Sequence, residues 1–344
     1  MWVLLHQDER AYRAVTSAAT CHSRGRGIVL MNMEPSSGPE PDGSGTAYMV
    51  AWRDHRHRVF GVAYRMLGGV SDAEDAVQEA FGRLARANID EIDDVRGWLI
   101  TVTTRLCIDE LRRSRARRGA YMGPWLPEPI VTGTEPADRS QPDPADLAVL
   151  DESISVALLV VFEQLSPAER VVFVLHDVFG FTFDEIAVTV GRTPAACRQL
   201  ASRARRHVED HQRGARVTVT RPEQRALAQR FADACATGAL DALIAVLDPD
   251  CVGEFDSGGV IPGAPLDPLF GADPVAAALV FAFHGSEATF DVADVNGEPG
   301  VIVQVRDRVA AVIAIDGHDG LVDHIHGIGN PDKLRHLERN RPFE

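Results

Sequence analysis

A chain of 344 residues is too long for one ordinary domain, and about 150 residues per domain predicts two or three compact units. No apolar run approaches the roughly 20 residues that span a bilayer, and His6, Asp8, Glu9 and Arg10 interrupt the opening where a secretory signal needs an apolar centre. Five scattered cysteines without a CxxC pair suggest neither a disulfide framework nor a thiolate zinc site. The expectation is a cytoplasmic protein with reduced thiols and no cofactor.

The formal net charge of −15 argues against a nucleic-acid partner only until the charge is located. Residues 105–118 hold six Arg against Asp109 and Glu110, and residues 196–216 hold six Arg against Glu209 and Asp210. Residues 217–344 hold nine basic and 20 acidic residues, so the last third is not expected to bind DNA.

In chain order, residues 1–47 read as a disordered leader ending in the turn-rich run from Pro35 to Gly43, with Met31, Met33 and Met49 as alternative starts. Residues 48–118 read as helices. Val59, Val62, Ala63 and Met66 form one stripe, and Val77, Ala80, Phe81 and Leu84 another. Ser71 and Glu74 predict a capping box after the Gly68-Gly69 break. A third helix follows Asp93-Asp94, with Trp98, Leu99, Val102 and Leu106 inward and a basic far end. Residues 119–150 are a linker rich in Pro, Gly and Asp, yet Trp125-Leu126-Pro127-Glu128-Pro129 is too apolar for a free tether and predicts a docked segment.

Residues 151–214 are helical again, with clear starts at Ser166-Pro167-Ala168-Glu169, Thr182-Phe183-Asp184-Glu185 and Thr193-Pro194-Ala195-Ala196. The short step past Gly191 predicts a helix-turn-helix. Residues 215–344 change to an α+β texture. A helix over 222–238 buries Leu227, Phe231, Ala234 and Cys235, a second lies near 274–283, and strands are expected over 289–295, 301–305, 309–315 and 321–328. Asn296-Gly297 and Asp319-Gly320 mark hairpins.

The helix from Thr193 carries Arg198, Gln199, Ser202, Arg203, Arg205 and Arg206 outward, with Leu200, Ala201, Ala204 and Val208 at core spacing. Arg and Gln near the amino terminus of such a helix suit guanine and adenine edges, and later Arg residues suit phosphates. The plainer reading is a solvated basic helix, against which stand the three caps and the turn.

The segments Asp72-Ala73-Glu74-Asp75-Ala76-Val77-Gln78-Glu79-Ala80-Phe81, Arg96-Gly97-Trp98-Leu99 and Leu106-Cys107-Ile108-Asp109-Glu110-Leu111-Arg112-Arg113 resemble region 2 of extracytoplasmic-function sigma factors, and the helix-turn-helix resembles their region 4. The resemblance implies that Asp72, Glu74, Asp75, Gln78 and Glu79 bind the clamp helices of the polymerase β′ subunit, and that Trp98, Arg105, Arg112 and Arg113 hold the melted -10 element. It also implies that the helix-turn-helix reads the -35 element beside the β flap. Taken alone, the acidic residues are a solvated face and Trp98 a core residue. Arg105 and Gln199-Leu200 depart from the family's usual Asn and Ser-Arg, so its promoter sequence does not carry over.

Trp125 to Pro129 and Asn330-Pro331-Asp332-Lys333-Leu334 further resemble the subgroup with a fused SnoaL-like domain, a curved α+β cone whose relatives include cyclases and isomerases. The likeness spans roughly residues 48–340, and a third motif survives only as Asp256-Ser257-Gly258-Gly259-Val260, without its Lys. It implies multiple domains, two all-α units followed by the cone, with regulatory contacts through Trp125, Leu126, Pro127, Asn330, Asp332 and Lys333. Strand alternation puts His324 and His326 on one face near Asp323, without a third metal ligand or an evident catalytic pair. A non-enzymatic sigma factor partnered by core RNA polymerase and promoter DNA is therefore preferred over a ligand-responsive helix-turn-helix regulator, which has no use for residues 72–113, and over a DNA-binding cyclase or isomerase. The sequence names no promoter, inducing signal, small-molecule ligand or anti-sigma partner.

Overall fold

The computed structural model describes residues 43–118, 121–132, 154–212 and 220–339. Residues 1–42, and with them nearly all of the expected leader, lie outside the described residues, and 43–344 form one unit. Helix α1 (Gly43–Leu67) starts inside the span read as leader. Tyr48 and Trp52 give it a reason to, since both rings meet Phe81 edge-on at 6.2 and 4.7 Å. Helix α2 (Val70–Leu84) and helix α3 (Val95–Arg118) complete the first helical group around Val59, Val77, Phe81 and Leu99.

The expected Ser71–Glu74 capping box does not form. Helix α2 begins at Val70 with extended Gly69 as its N-cap, which puts Ser71 one step too far into the first turn. The cap comes from elsewhere: the backbone N–H groups of Val70 and Ser71 donate to Oε2 of Glu128 at 2.8 and 3.1 Å. A carboxylate at a helix amino terminus satisfies donors the helix cannot use itself and complements its dipole.

The second helical group has the expected local starts. Ser155 caps α4 (Val156–Gln164), Ser166 and Glu169 close a capping box on α5 (Pro167–Phe173), and Thr182 and Glu185 do the same on α6 (Phe183–Val190). Helix α6 ends at left-handed Gly191, and Thr193 accepts from Ala196 N at the start of α7 (Pro194–Gln212). The two groups share one core, running from Val62, Met66 and Cys107 to Phe162, Val172, Ile186 and Leu200. Buried Arg170 of α5 donates to Met66 O at 2.9 Å and to Glu163 at 2.7 Å, and Arg58 and Arg65 of α1 lie over the Phe179 ring.

The last third is the expected α+β layer. Helices α8 (Arg221–Thr237), α9 (Leu240–Ile244) and α10 (Ala272–Phe283) accompany strands β2 (Leu247–Asp256), β3 (Leu269–Phe270), β4 (Ala288–Val295), β5 (Glu298–Val305), β6 (Arg308–His318) and β7 (Leu321–Ile328). The linker adds strand β1 (Val131–Thr132), giving the order β1-β4-β5-β6-β7-β2-β3 with only β2 and β7 parallel. Leu227 and Phe231 of α8 and Val275 and Leu279 of α10 pack on one sheet face with Val301, Val303, Ile313 and Ile325. The other face meets Leu126 of the linker, Val156 of α4 and Leu334 of a terminal helix α11 (Pro331–Arg339), through Val295, Ile302, Val312 and Ile328.

Candidate functional site

Helix α7 separates its residues as its 3.6-residue period requires. Cys197, Leu200, Ala201, Ala204 and Val208 are buried, while Arg198, Gln199, Ser202 and Arg206 are exposed. Arg203 and Arg205 are not free in the same way. Glu169 holds Arg203 at 2.8 Å, and Asp177, in the turn after α5, holds Arg205 at 2.6 Å. Arg198 lies 5.9 Å over the Phe183 ring.

In the first helical group, Glu74, Asp75, Gln78 and Glu79 are exposed along α2, and Asp72 is half-buried. On α3, Arg105, Arg112 and Arg113 are exposed and Trp98 is half-buried against the Val59–Phe81 cluster. Arg112 and Arg113 sit 3.5 and 3.0 Å from Asp109 and Glu110. Acidic α2 and basic α3 therefore present opposite charge to solvent.

The linker motif and the terminal motif meet at a buried ion pair. Lys333 Nζ lies 2.6 Å from Asp256 Oδ2, donates to Leu126 O, and stands 3.9 Å over the Trp125 ring. Asp256 also accepts from Leu126 N at 2.8 Å, from Gly258 N at 3.0 Å and from the Tyr121 hydroxyl. Asn330 donates to Tyr121 Oη at 2.7 Å and accepts from Asp332 N, which turns the chain into α11. Lys333 is only 6% exposed and the Asp256 side chain is fully buried, so each charge depends on the other. Burial, and then the Asp256 carboxylate, push the Tyr121 phenol above its ordinary range.

One expectation is corrected at this junction. Asp332, expected among the contacts, joins the junction only through its backbone N–H to Asn330, while its side chain, 70% exposed, turns away from Lys333 to pair with Arg335. The Asp256–Val260 loop, although it lacks the motif's Lys, is central, since Asp256 itself is the anchor. Gly258, at φ +62, cannot be replaced without crowding, because an added Cβ would come within 2.6 Å of Asn330 Nδ2.

A second set of bonds joins the linker to α1 and to the sheet. Glu128 N donates to Gly68 O, Tyr64 Oη donates to Glu128 O at 2.7 Å, and Asn296 Nδ2 donates to Tyr64 Oη at 2.8 Å. Asn296 also exchanges two hydrogen bonds with Ile130. Sequence reasoning missed Tyr64, Tyr121, Glu128, Asp256 and Asn296 as contacts. The available signal was Lys333, the one lysine of the sequence, which demands an acidic partner wherever it is buried.

Residues 51–117 match the family Sigma-70 region 2, and residues 155–208 match Sigma-70, region 4. Over 286 residues the chain is 40% identical to the probable ECF RNA polymerase sigma factor SigI of Mycobacterium tuberculosis, covering 83% of this chain and 93% of that protein. The chain belongs to the extracytoplasmic-function sigma factors. The ECF RNA polymerase sigma factor SigJ of the same organism is 38% identical over 290 residues, covering 81% and 90%. The crystal structure of M. tuberculosis SigJ aligns with a TM-score of 0.63 at 35% identity, covering 85% of this chain and 98% of that one. As a sigma factor, the chain directs core RNA polymerase to promoters.

In this sigma factor the predicted histidine pair does share a face, with ring centroids 6.5 Å apart, but it is the face toward α4 rather than the one under α8 and α10. His326, 5% exposed, lies between Glu254 at 3.2 Å and Asp316 at 3.8 Å, and Asp323 lies between His318 and His324. Burial raises the Asp316 carboxyl, and burial with the nearby Asp316 charge pushes Glu298 up to about 7. No group of three such side chains is placed to hold a metal ion among the described residues.

Proposed function

We propose that the acidic face of α2, through Asp72, Glu74, Asp75, Gln78 and Glu79, binds the β′ clamp helices, and that Trp98, Arg105, Arg112 and Arg113 of α3 hold the melted -10 strand. Helix α7 reads the -35 element through Arg198, Gln199 and Ser202, with Arg203, Arg205 and Arg206 on phosphates and the β flap alongside. Charge and exposure support each role: an acidic helix complements a basic protein surface, and arginines beside an aromatic suit an unpaired strand. The sigma factor then works in the cytoplasm and is not catalytic. The helix-covered sheet face is built from apolar side chains such as Val303, Ile313 and Ile325, covered by Phe231 of α8, which supports a structural rather than a chemical use of the last third.

The C-terminal domain, residues 215–344, acts as a regulator by holding the two helical groups in a packed resting state. The observation that carries this reading is the shared core sealed by Arg170, with the Lys333–Asp256 pair clasping the linker that runs between the groups. Promoter elements centred roughly 25 base pairs apart lie about 85 Å apart on straight DNA at 3.4 Å per pair. A compact body of this size spans only about 40 Å. Promoter engagement therefore requires the groups to part.

Run-off transcription with core polymerase tests this. Trp125→Ala, Lys333→Ala and removal of 330–344 each change the initiation rate several-fold, with the helical content of 43–212 retained by circular dichroism. Unchanged rates in all three folded variants would remove the regulatory role.

A further inference from the structure

A groove of 610 Å³ opens where α3 meets the helix-turn-helix, and of its lining only Arg112 and Arg203 have a role assigned above, toward DNA. Its floor is apolar, with Ile108 from α3, Pro167 and Val171 from α5, Val190 from the end of α6 and Leu200 from α7. Its rim is cationic, with Arg112 of α3, Arg192 of the turn after α6 and Arg203 of α7. Arg112 and Arg203 have carboxylate neighbours in Asp109 and Glu169, whereas exposed Arg192 makes no ion pair among the described residues. Val171 and Leu200 are already buried, so the hydrocarbon open to the groove comes from half-buried Ile108, Pro167 and Val190, with arginines from three separate elements around it.

We propose that this groove binds an amphiphilic anion, a small molecule with an apolar body and a phosphate or carboxylate head. The head meets the rim, where exposed Arg192 offers a planar fork for a phosphate or carboxylate, and the body covers the floor. The volume falls within the range of about 300–1,000 Å³ typical of small-molecule sites. A bare phosphate, whether free or in DNA, satisfies the rim and leaves the floor wet. A neutral amphiphile covers the floor and leaves the rim unused.

The walls belong to both helical groups, so the groove exists only while they are packed. A ligand that binds only the packed state shifts the equilibrium toward it by mass action. The bound anion therefore inhibits initiation, an effect that rests on the resting-state reading given above, whereas the binding itself does not.

The full chain is titrated calorimetrically with dodecyl phosphate below its micellar concentration, and in parallel with inorganic phosphate, dodecyl maltoside and an acidic amphipathic peptide. Saturable binding of dodecyl phosphate alone is expected, weakened at least tenfold by Arg192→Glu and abolished by Ala168→Trp, which fills the groove. Absence of binding, equal binding of inorganic phosphate or dodecyl maltoside, insensitivity to both variants, or binding of the peptide in place of dodecyl phosphate overturns the site. In run-off transcription, dodecyl phosphate slows the wild type several-fold and leaves Arg192→Glu, which retains normal uninhibited activity, unaffected. Arg192-dependent binding without inhibition overturns the packed-state linkage and leaves the site standing.

Discussion

The two faces of the C-terminal sheet are built from different forces. Under α8 and α10 the contacts are apolar and local to the domain, with Phe231, Leu279, Val303 and Ile325 at their centre. On the opposite face, polar groups reach across long stretches of chain: Lys333 to Asp256 and Leu126, Asn296 to Tyr64 and Ile130, and His336 to Pro129 O at 2.7 Å. Hydrophobic burial is non-directional and stabilises whatever packs well, whereas a buried ion pair with fixed hydrogen bonds tolerates one arrangement. One face holds the domain together, and the other specifies what it is attached to.

Substitutions on the two faces should therefore fail differently. Phe231→Ala removes a fully buried ring and costs about 4 kcal/mol, unfolding the sheet domain as followed by denaturant titration. Lys333→Met strands the Asp256 carboxylate and costs about 3 kcal/mol, but its signature is protection loss at Leu126 and Tyr121 in hydrogen exchange, with β4–β6 still protected. If Lys333→Met unprotects the whole sheet, the two faces are not separable. Adding Asp256→Asn to it recovers part of the loss, because no unpaired charge remains.

Smaller effects sharpen the contrast. Glu128→Gln weakens the cap on α2 and costs about 1 kcal/mol, seen as a lower melting temperature of the helical groups rather than of the sheet. Glu298 supplies a pH dependence to the attached face. Its folded-state pKa of about 7 lies above the ordinary carboxyl value, so the folded state holds the proton more tightly. Stability from this group is complete below about pH 4.5 and is lost as pH rises toward 7, amounting to about 1 kcal/mol after allowance for solvent screening. Glu298→Gln should flatten that part of the stability profile, and an unchanged slope would place the titration elsewhere.

What was legible in the sequence follows the same division. Helix starts at Ser166 and Thr182 depend on a glutamate three residues on, the start at Thr193 depends on its own hydroxyl and the Ala196 N–H, and the Asn296-Gly297 and Asp319-Gly320 hairpins depend on two adjacent residues with positive φ. Arg306-Asp307 makes the same kind of turn at φ +50 and +61 without a glycine, and so gave no signal. Strand β2 was hidden by Asp248-Pro249-Asp250, residues that disfavour strands except at irregular pairings, and its register with β7 does shift there. The α2 cap was misread because its carboxylate comes from Glu128, 58 residues from Val70. Motif resemblance located both halves of the junction at Trp125 and Lys333. It did not supply Asp256 as their common partner, because that pairing spans 77 residues and no local pattern encodes it.

The short strand β1 also bears on how the domain can be moved between proteins. Val131 and Thr132 pair with Val295 and Asp294 and cover what is otherwise the outer border of β4. A fragment beginning at residue 220 and grafted onto another carrier loses that cover together with Leu126. It then displays open backbone donors and acceptors beside Val295, a template on which further copies can stack. The transplantable module is therefore discontinuous: residues 121–132 travel with 220–339, or the graft is prone to aggregate.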